Sequence, residues 1–173
     1  MIGLGLLAVA AVHMCAVANA RYVLRSNPGV TLHFENAPIN DDWPQGVVVA
    51  IHGVKTGRTS YWLPWYGGTD GGRHIRGTAL LDRSKDLAAQ RRVERRGDLD
   101  FFLLDSRYRF LSSLPKRGSA APAHLLIPNL DLWHFFDAAG QRDDSPRAFF
   151  DLAGCHRSTA HDRGKDAILP SVA

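Results

Sequence analysis

Cysteine is scarce in this chain of 173 residues, which has one cysteine in its apolar N-terminal segment, Cys15, and one near the other end, Cys155. If a signal peptidase removes the N-terminal segment, Cys155 is left alone and no intramolecular disulfide bond can form. In that case we expect the fold to be stabilised by apolar packing rather than by cross-links.

Charged side chains are absent from residues 1–20. This stretch is apolar or small except for His13, and it ends in Ala18-Asn19-Ala20, the small-x-small pattern that signal peptidases cleave. A signal peptide usually starts with Lys or Arg, whereas here only the amine of Met1 is positive, so a retained membrane anchor is the alternative. Either case predicts an extracytoplasmic protein, periplasmic or secreted, and residues 2–20 would anchor it in the membrane if they are retained.

Complete catalytic motifs are also missing. The apolar run Val47–Ile51 is followed by His52-Gly53, as in the oxyanion strand of α/β-hydrolases, but no Gly-x-Ser-x-Gly occurs to supply a nucleophile. The segment Gly53–Thr59 is one residue short of a phosphate-binding loop and has Arg58 where that loop needs Lys. These absences exclude the serine hydrolase and nucleotide-binding classes.

A metal site is the next alternative that the sequence disfavours. His156, His161 and Asp162, with or without His134, do not have the spacing that would place ligands on one helical face. We therefore expect neither a metal nor a cofactor.

The composition is that of an ordinary globular domain, with 45% hydrophobic and 22% charged residues. The net charge of +4 favours anionic surfaces without specifying a partner. We expect a signal peptide or anchor over residues 1–20, a single extracytoplasmic domain over 21–158 and a loose polar tail over 159–173.

Strand-type and helix-type patterns are divided unevenly along the chain. Branched and aromatic residues predict strands at Arg21–Arg25, Val30–Glu35, Val47–His52, Arg73–Leu81, Leu99–Leu104 and His124–Ile127. Capping residues and spacing predict helices at Lys85–Arg96, Leu130–Ala139 and Arg147–Ala153. The predicted fold class is α+β, a single domain with a β-rich N-terminal half and short helices in the C-terminal half, preceded by an apolar N-terminal helix.

The densest unusual segment runs from Tyr61 to His74, where four aromatic residues precede a glycine-rich turn. These rings could fill the core while the glycines form a hairpin turn, or they could form a platform for sugar rings or a protein partner. Our candidate binding residues are Tyr61, Trp62, Trp65, Tyr66, Asp70, Arg73 and His74. We expect Trp62 to be structural and Trp65 to be exposed, because Pro64 and the following glycines place Trp65 nearer to a loop.

Cys155 is the candidate nucleophile. The residues Gly154-Cys155-His156-Arg157 form a Gly-Cys-x-Arg pattern that resembles the nucleophile motif of the L,D-transpeptidases, and Ile51-His52-Gly53 resembles their His-Gly. The resemblance covers only these positions, and it implies a cysteine-dependent cell-wall enzyme in which Cys155 attacks and His52 assists.

Two functions from different classes are consistent with the sequence. The first is an exported, non-catalytic envelope protein that binds a protein complex or a glycan through the aromatic segment. The alternative is the cysteine-dependent enzyme that uses Cys155 and His52. A nucleic-acid partner is not expected, because Asp86 and Glu94 dilute the one basic helix.

Overall fold

The fold is almost entirely β-structure. The computed structural model describes residues 15–39, 41, 43–67, 71–78, 97–134 and 142–156. The strands within these residues are β1 (Ala20–Leu24), β2 (Asn27–Asn36), β3 (Val47–Gly53), β4 (Arg58–Gly67), β5 (Gly72–Thr78), β6 (Asp98–Asp100), β7 (Phe102–Leu104), β8 (His124–Leu126) and β9 (Phe149–Cys155). A 3-10 helix (Val17–Asn19) precedes β1, and a helix, α1 (Leu130–His134), lies between β8 and β9.

These strands form one antiparallel sheet with the order β6-β5-β4-β3-β2-β1-β9-β8-β7. Its two end strands, β6 and β7, are consecutive in the chain and are separated by Phe101 alone. The backbone N–H of Phe101 donates to the carbonyl oxygen of Arg73 at 3.0 Å, so the pairing with β5 continues up to the point where pairing with β8 begins. A single segment thus joins both ends of the sheet, and the sheet is nearly closed and barrel-like.

The interior of the sheet is packed with apolar side chains. Because side chains alternate between faces along each strand, every second residue points inward. The largest inward side chains, all fully buried, are Tyr22, Leu32, Trp62, Ile75, Leu103, Leu125 and Phe150. Phe101 is also fully buried among them. This filling leaves the outer face of the sheet as the place for exposed chemistry.

The predicted α+β class is wrong, because the described residues are nearly all β-structure, in one nearly closed nine-stranded antiparallel sheet. The helix predicted at Arg147–Ala153 is instead part of β9, in which Phe150 faces the core and Asp151 faces outward. Gly154, which was expected to end that helix, lies within β9, because pairing with β1 and β8 outweighs a short local helix pattern. The segment Arg58–Gly67, which was not assigned as a strand, forms β4.

Several other predictions have mixed outcomes. The predicted strands at Arg21–Arg25, Val30–Glu35, Val47–His52 and His124–Ile127 correspond to β1, β2, β3 and β8, and the predicted strand Leu99–Leu104 is divided between β6 and β7. Only residues 130–134 of the predicted helix Leu130–Ala139 are described, and they are helical. The helix at Lys85–Arg96, residues 1–14 of the apolar N-terminal segment and the tail 159–173 lie outside the described residues.

Cys15 and Cys155 form a disulfide bond across 140 positions of sequence. The expectation that Cys155 lacks an intramolecular partner applied to a chain cleaved after Ala20, and it does not hold for the described fold, which includes Cys15. Val17 is fully buried in the core, and Ala20, also a core residue, begins β1 opposite Cys155. Cleavage after Ala20 would remove one cysteine and two core residues from this arrangement.

A helix of the length and apolar character needed to cross a bilayer is not found among the described residues.

The disulfide yields the first prediction. Replacing both cysteines, C15S/C155S, should lower the free energy of unfolding by about 2–5 kcal/mol, because the bond closes a long loop in the unfolded chain. Either single replacement should have nearly the same effect. Denaturant unfolding of the oxidised protein, with and without a reducing agent, measures this loss. Identical unfolding midpoints for the wild type and the double variant would contradict the pairing.

Candidate binding surfaces

The β4–β5 hairpin contains most of the candidate binding residues and distributes them over two faces of the sheet. Trp62 is 0% exposed and lies in the core, where its Nε1–H donates to the Ser60 hydroxyl at 3.0 Å. Tyr61, on the opposite face, packs with Leu63 and Val48 in a second apolar cluster. Trp62 is therefore structural, as expected, and Tyr61 is largely covered.

Tyr66 and Arg73 also have structural contacts. They are opposite each other in the hairpin. The Tyr66 hydroxyl donates to the Ser112 carbonyl and accepts the Leu114 N–H, both at 2.8 Å, and Arg73 Nη1 donates to the Leu111 carbonyl at 2.7 Å. These three bonds fasten the segment that follows β7 to the hairpin. The remaining candidate at the turn, Asp70, lies outside the described residues.

Trp65 and His74 lie on the outer face of the hairpin with three charged neighbours. We call Trp65, His74, Arg76, Asp98 and Asp100 the hairpin cluster. The rings of Trp65 and His74 have centroids 5.6 Å apart, and the guanidinium carbon of Arg76 lies 4.5 Å from the centre of the Trp65 ring. Arg76 donates to both carboxylate oxygens of Asp98 at 2.8 and 3.0 Å, and this hydrogen bond raises the arginine pKa. His74 Nδ1 lies 3.3 Å from Asp100 Oδ1.

The Trp65 side chain is half-buried and is held close to the backbone. A Cβ on Gly67 would lie 1.7 Å from Cζ3 of the Trp65 ring, so the ring occupies space that only glycine leaves open. The ring is covered by Gly67 and contacted by Arg76, yet its Nε1–H is buried without a hydrogen-bond partner. A buried donor without an acceptor costs free energy, and because the atom is enclosed, a ligand on the surface does not reach it in this arrangement.

A second outer-face group lies on β8, β9 and the loop after β7. We call Arg25, Tyr108, His124, Phe149 and Asp151 the Tyr108 surface. Arg25 donates from Nε and Nη2 to the two carboxylate oxygens of Asp151, each at 2.8 Å, and from Nη2 to the Tyr108 hydroxyl at 2.7 Å. His124 Nδ1 lies 2.7 Å from Asp151 Oδ1. The Tyr108 ring stacks on His124 with centroids 4.1 Å apart and an interplanar angle of 9°.

A tight turn places the Tyr108 ring. Tyr108 has φ 59°, a left-handed conformation that is uncommon for a bulky residue and costs about 1–2 kcal/mol. The Asp105 carboxylate holds this turn by accepting the backbone N–H groups of Arg107 at 2.8 Å and Arg109 at 3.0 Å. The hydrogen bonds from the Arg109 backbone and side chain lower the pKa of Asp105 to about 2. Strain of this kind is typically retained where a side chain must be positioned.

The charges of the Tyr108 surface stabilise one another. Hydrogen bonding to Arg25, and to a lesser degree to His124, lowers the pKa of Asp151 against the opposing effect of burial. The same network raises the pKa of Arg25. Arg25 and Asp151 are therefore both ionised at neutral pH, and their charges cancel.

The Tyr108 surface was not among the residues that sequence reasoning selected. The signal in the sequence is weak. In His124–Leu126 and Phe149–Leu152, the polar residues His124 and Asp151 are each next to an apolar residue, Leu125 and Phe150, that faces the core. Interpreted as paired strands, these segments place His124 opposite Asp151, which is their observed register. The helix prediction at 147–153 concealed that pairing.

Cys155 and His52 are not brought together. Strands β1 and β2 lie between β9 and β3, and the sheet register aligns His52 through Thr31 and Val23 with Asp151 rather than with Cys155. His52 Nδ1 lies 3.0 Å from the Thr59 hydroxyl, and the Cys155 sulfur is bonded to Cys15. The arrangement that the transpeptidase resemblance implies is not formed.

Metal ligands are not clustered either, as far as residues 15–39, 43–67, 71–78, 97–134 and 142–156 show. His161 and Asp162 lie outside the described residues, and so does the His134 side chain.

The fold and its two outer-face groups define the class of protein only structurally, as a disulfide-linked, barrel-like antiparallel β domain with a filled interior. No protein family model, curated protein or solved structure matches the chain.

The Asp105 turn generates the second prediction. D105A should release the Tyr108 ring from His124, because the carboxylate that holds the turn is lost. In NMR spectra, His124 ring protons should move downfield as the ring current of Tyr108 is removed, whereas D41N at an exposed carboxylate should leave them unchanged. An unaltered His124 spectrum in D105A would show that the turn does not place the ring.

The same carboxylate predicts a pH dependence. The folded pKa of about 2 lies below the ordinary value of 3.8, so its contribution to stability is fully present above about pH 4 and is lost as the pH falls through 2. A carboxyl-carbon NMR titration of Asp105 measures this directly. A midpoint near 3.8 would contradict the hydrogen bonding of the turn.

Proposed function

We propose that this chain is an extracytoplasmic, non-catalytic domain that binds an envelope protein through the hairpin cluster. The observation that carries the proposal is the half-buried Trp65 ring with the Arg76 guanidinium carbon 4.5 Å from its centre. Trp and Arg dominate the binding free energy of protein interfaces, most of all at partly enclosed positions.

A protein partner fits the hairpin cluster better than a glycan does. Sugar rings stack on an open aromatic face, but the Trp65 ring is covered by Gly67 and contacted by Arg76. The Arg76–Asp98 ion pair and the His74–Asp100 contact would form the polar rim of such an interface.

The disulfide supports the proposed compartment. Bonds of this kind persist in oxidising environments such as the periplasm and the cell exterior. Because Cys15 and Val17 belong to the fold, we propose that the chain is either retained by its apolar N-terminal segment or cleaved before Cys15, instead of after Ala20.

The enzyme alternative has less support. A cysteine nucleophile acts as a thiolate, and the Cys155 sulfur is engaged in the disulfide. His52 is separated from Cys155 by two intervening strands, so it is not placed to act as a general base for that cysteine.

The fourth prediction tests the hairpin cluster. Full-length tagged protein, cross-linked in native membranes and purified, should recover its partner. W65A should reduce that recovery by about tenfold or more, since a central Trp contributes about 2 kcal/mol or more to binding. W65F keeps a smaller aromatic ring, so it should have a smaller effect of the same sign.

The matched control is V54A, which truncates a side chain that is 65% exposed and lies away from the cluster. It should recover the same partner in the wild-type amount. Thermal unfolding of each variant separates loss of binding from loss of fold. If W65A remains folded and recovers the same proteins as the wild type in equal amounts, the hairpin cluster is not the docking surface.

A further inference from the structure

The Tyr108 surface is a separate feature from the hairpin cluster, and its chemistry suits a different ligand. We propose that it binds an uncharged carbohydrate chain, with one sugar ring packed on the exposed part of Tyr108 and its hydroxyl groups bonded to Arg25 and His124. This inference goes beyond the proposed function and does not depend on it.

The first argument is the exposed aromatic residue. One face of the Tyr108 ring stacks on His124, and its edge meets Phe149 with centroids 5.4 Å apart. The Arg25 guanidinium carbon lies 5.7 Å from the ring centre, and Arg25 donates to the Tyr108 hydroxyl. The residue is nevertheless 46% exposed, so part of it remains accessible to a ligand. Sugar rings present C–H groups on their faces and pack on aromatic rings in this way. The left-handed backbone of Tyr108 holds this platform at a fixed place.

The second argument is the hydrogen-bonding capacity that remains. Arg25 uses Nε and Nη2 within the surface, which leaves the Nη1 donor unused among the described residues. The Tyr108 hydroxyl accepts from Arg25 and can donate its own hydrogen. Since the Asp151 carboxylate only accepts, His124 donates to it from Nδ1, and Nε2 is the ring nitrogen left for a ligand. Nε2 has no hydrogen-bond partner among the described residues and is not among their enclosed unpaired atoms.

This combination selects hydroxyl groups. A sugar hydroxyl both donates and accepts, so it can bond to His124 Nε2 whether that atom donates or accepts, and it can accept from Arg25 or Tyr108. The cancelling charges of Arg25 and Asp151 provide no net attraction for an anion.

A second ring extends the platform. Phe110, two residues after Tyr108, is 64% exposed and meets Phe102 of β7 edge-on with centroids 5.7 Å apart. Phe102, Leu126 and Phe149 are aligned across β7, β8 and β9. This apolar row lies beside the polar group, so more than one sugar unit can be accommodated along the surface.

The experiment uses the oxidised full-length chain in detergent and three soluble probes: cellotetraose, chitotetraose and the acidic tetragalacturonate. Calorimetry measures affinity, and saturation-transfer NMR identifies the sugar protons in contact with the protein. We expect at least one neutral tetrasaccharide to bind. Y108A should weaken that binding by about tenfold or more, and Y108F, which retains the ring, should weaken it about threefold.

Y108N distinguishes a binding role from a structural one. Asn tolerates the left-handed conformation, so this variant relieves backbone strain in the turn while removing the aromatic platform. It should remain folded and yet lose carbohydrate binding as Y108A does. I39A serves as the control, since it truncates an exposed apolar side chain that follows the far end of β2 and belongs to neither surface, and it should leave carbohydrate affinity unchanged.

Three results would overturn the proposal: no binding of either neutral probe at millimolar concentration, binding of tetragalacturonate alone, or neutral-sugar affinity that folded Y108N and Y108A leave unchanged. None of these three results depends on whether W65A recovers less of the protein partner. Failure of this inference is therefore distinguishable from failure of the proposed function.

Discussion

The segment from Asp98 to Leu104 is the constraint on which the rest of the structure depends. Its first half pairs with β5 and its second half with β8, which are near opposite ends of the same sheet. Phe101 at the junction is fully buried and donates its backbone N–H to Arg73. Without this connection both end strands would expose unpaired edges and the inward apolar side chains would meet water. Closure leaves these side chains packed against one another.

The filled interior restricts function to the outer face. The disulfide fixes the start of the described fold against the end of β9, so the same oxidised linkage that stabilises the domain also positions β9 and its Asp151. Asp151 in turn holds Arg25 and His124. The hairpin cluster belongs to other strands and shares no residue with this group. One scaffold thus presents two chemically different surfaces, one with a half-buried indole and one with an exposed ring among hydroxyl-binding groups.

The sequence predicted local structure well where the apolar pattern was unambiguous, as in the central strand at Val47–His52. It failed where distant pairing decides the outcome. Phe149–Cys155 is a strand because β1 and β8 are beside it, which local caps cannot reveal. Trp62 was correctly assigned to the core, but the contacts of Tyr66 and Arg73 with the segment 111–114 depend on sheet closure. The Tyr108 surface joins residues more than a hundred positions apart, so no short motif could identify it.

Sheet closure is tested most directly by NMR of the oxidised protein. If one segment joins both ends of the sheet, nuclear Overhauser contacts should link Leu99 to Ile75 and Leu103 to Leu125 in the same molecule. The backbone N–H of Phe101 should then exchange with solvent as slowly as those of the central strand β3. Rapid exchange at Phe101, or contacts on only one side of it, would contradict a closed sheet. It would also contradict the claim that a filled interior restricts binding to the outer face.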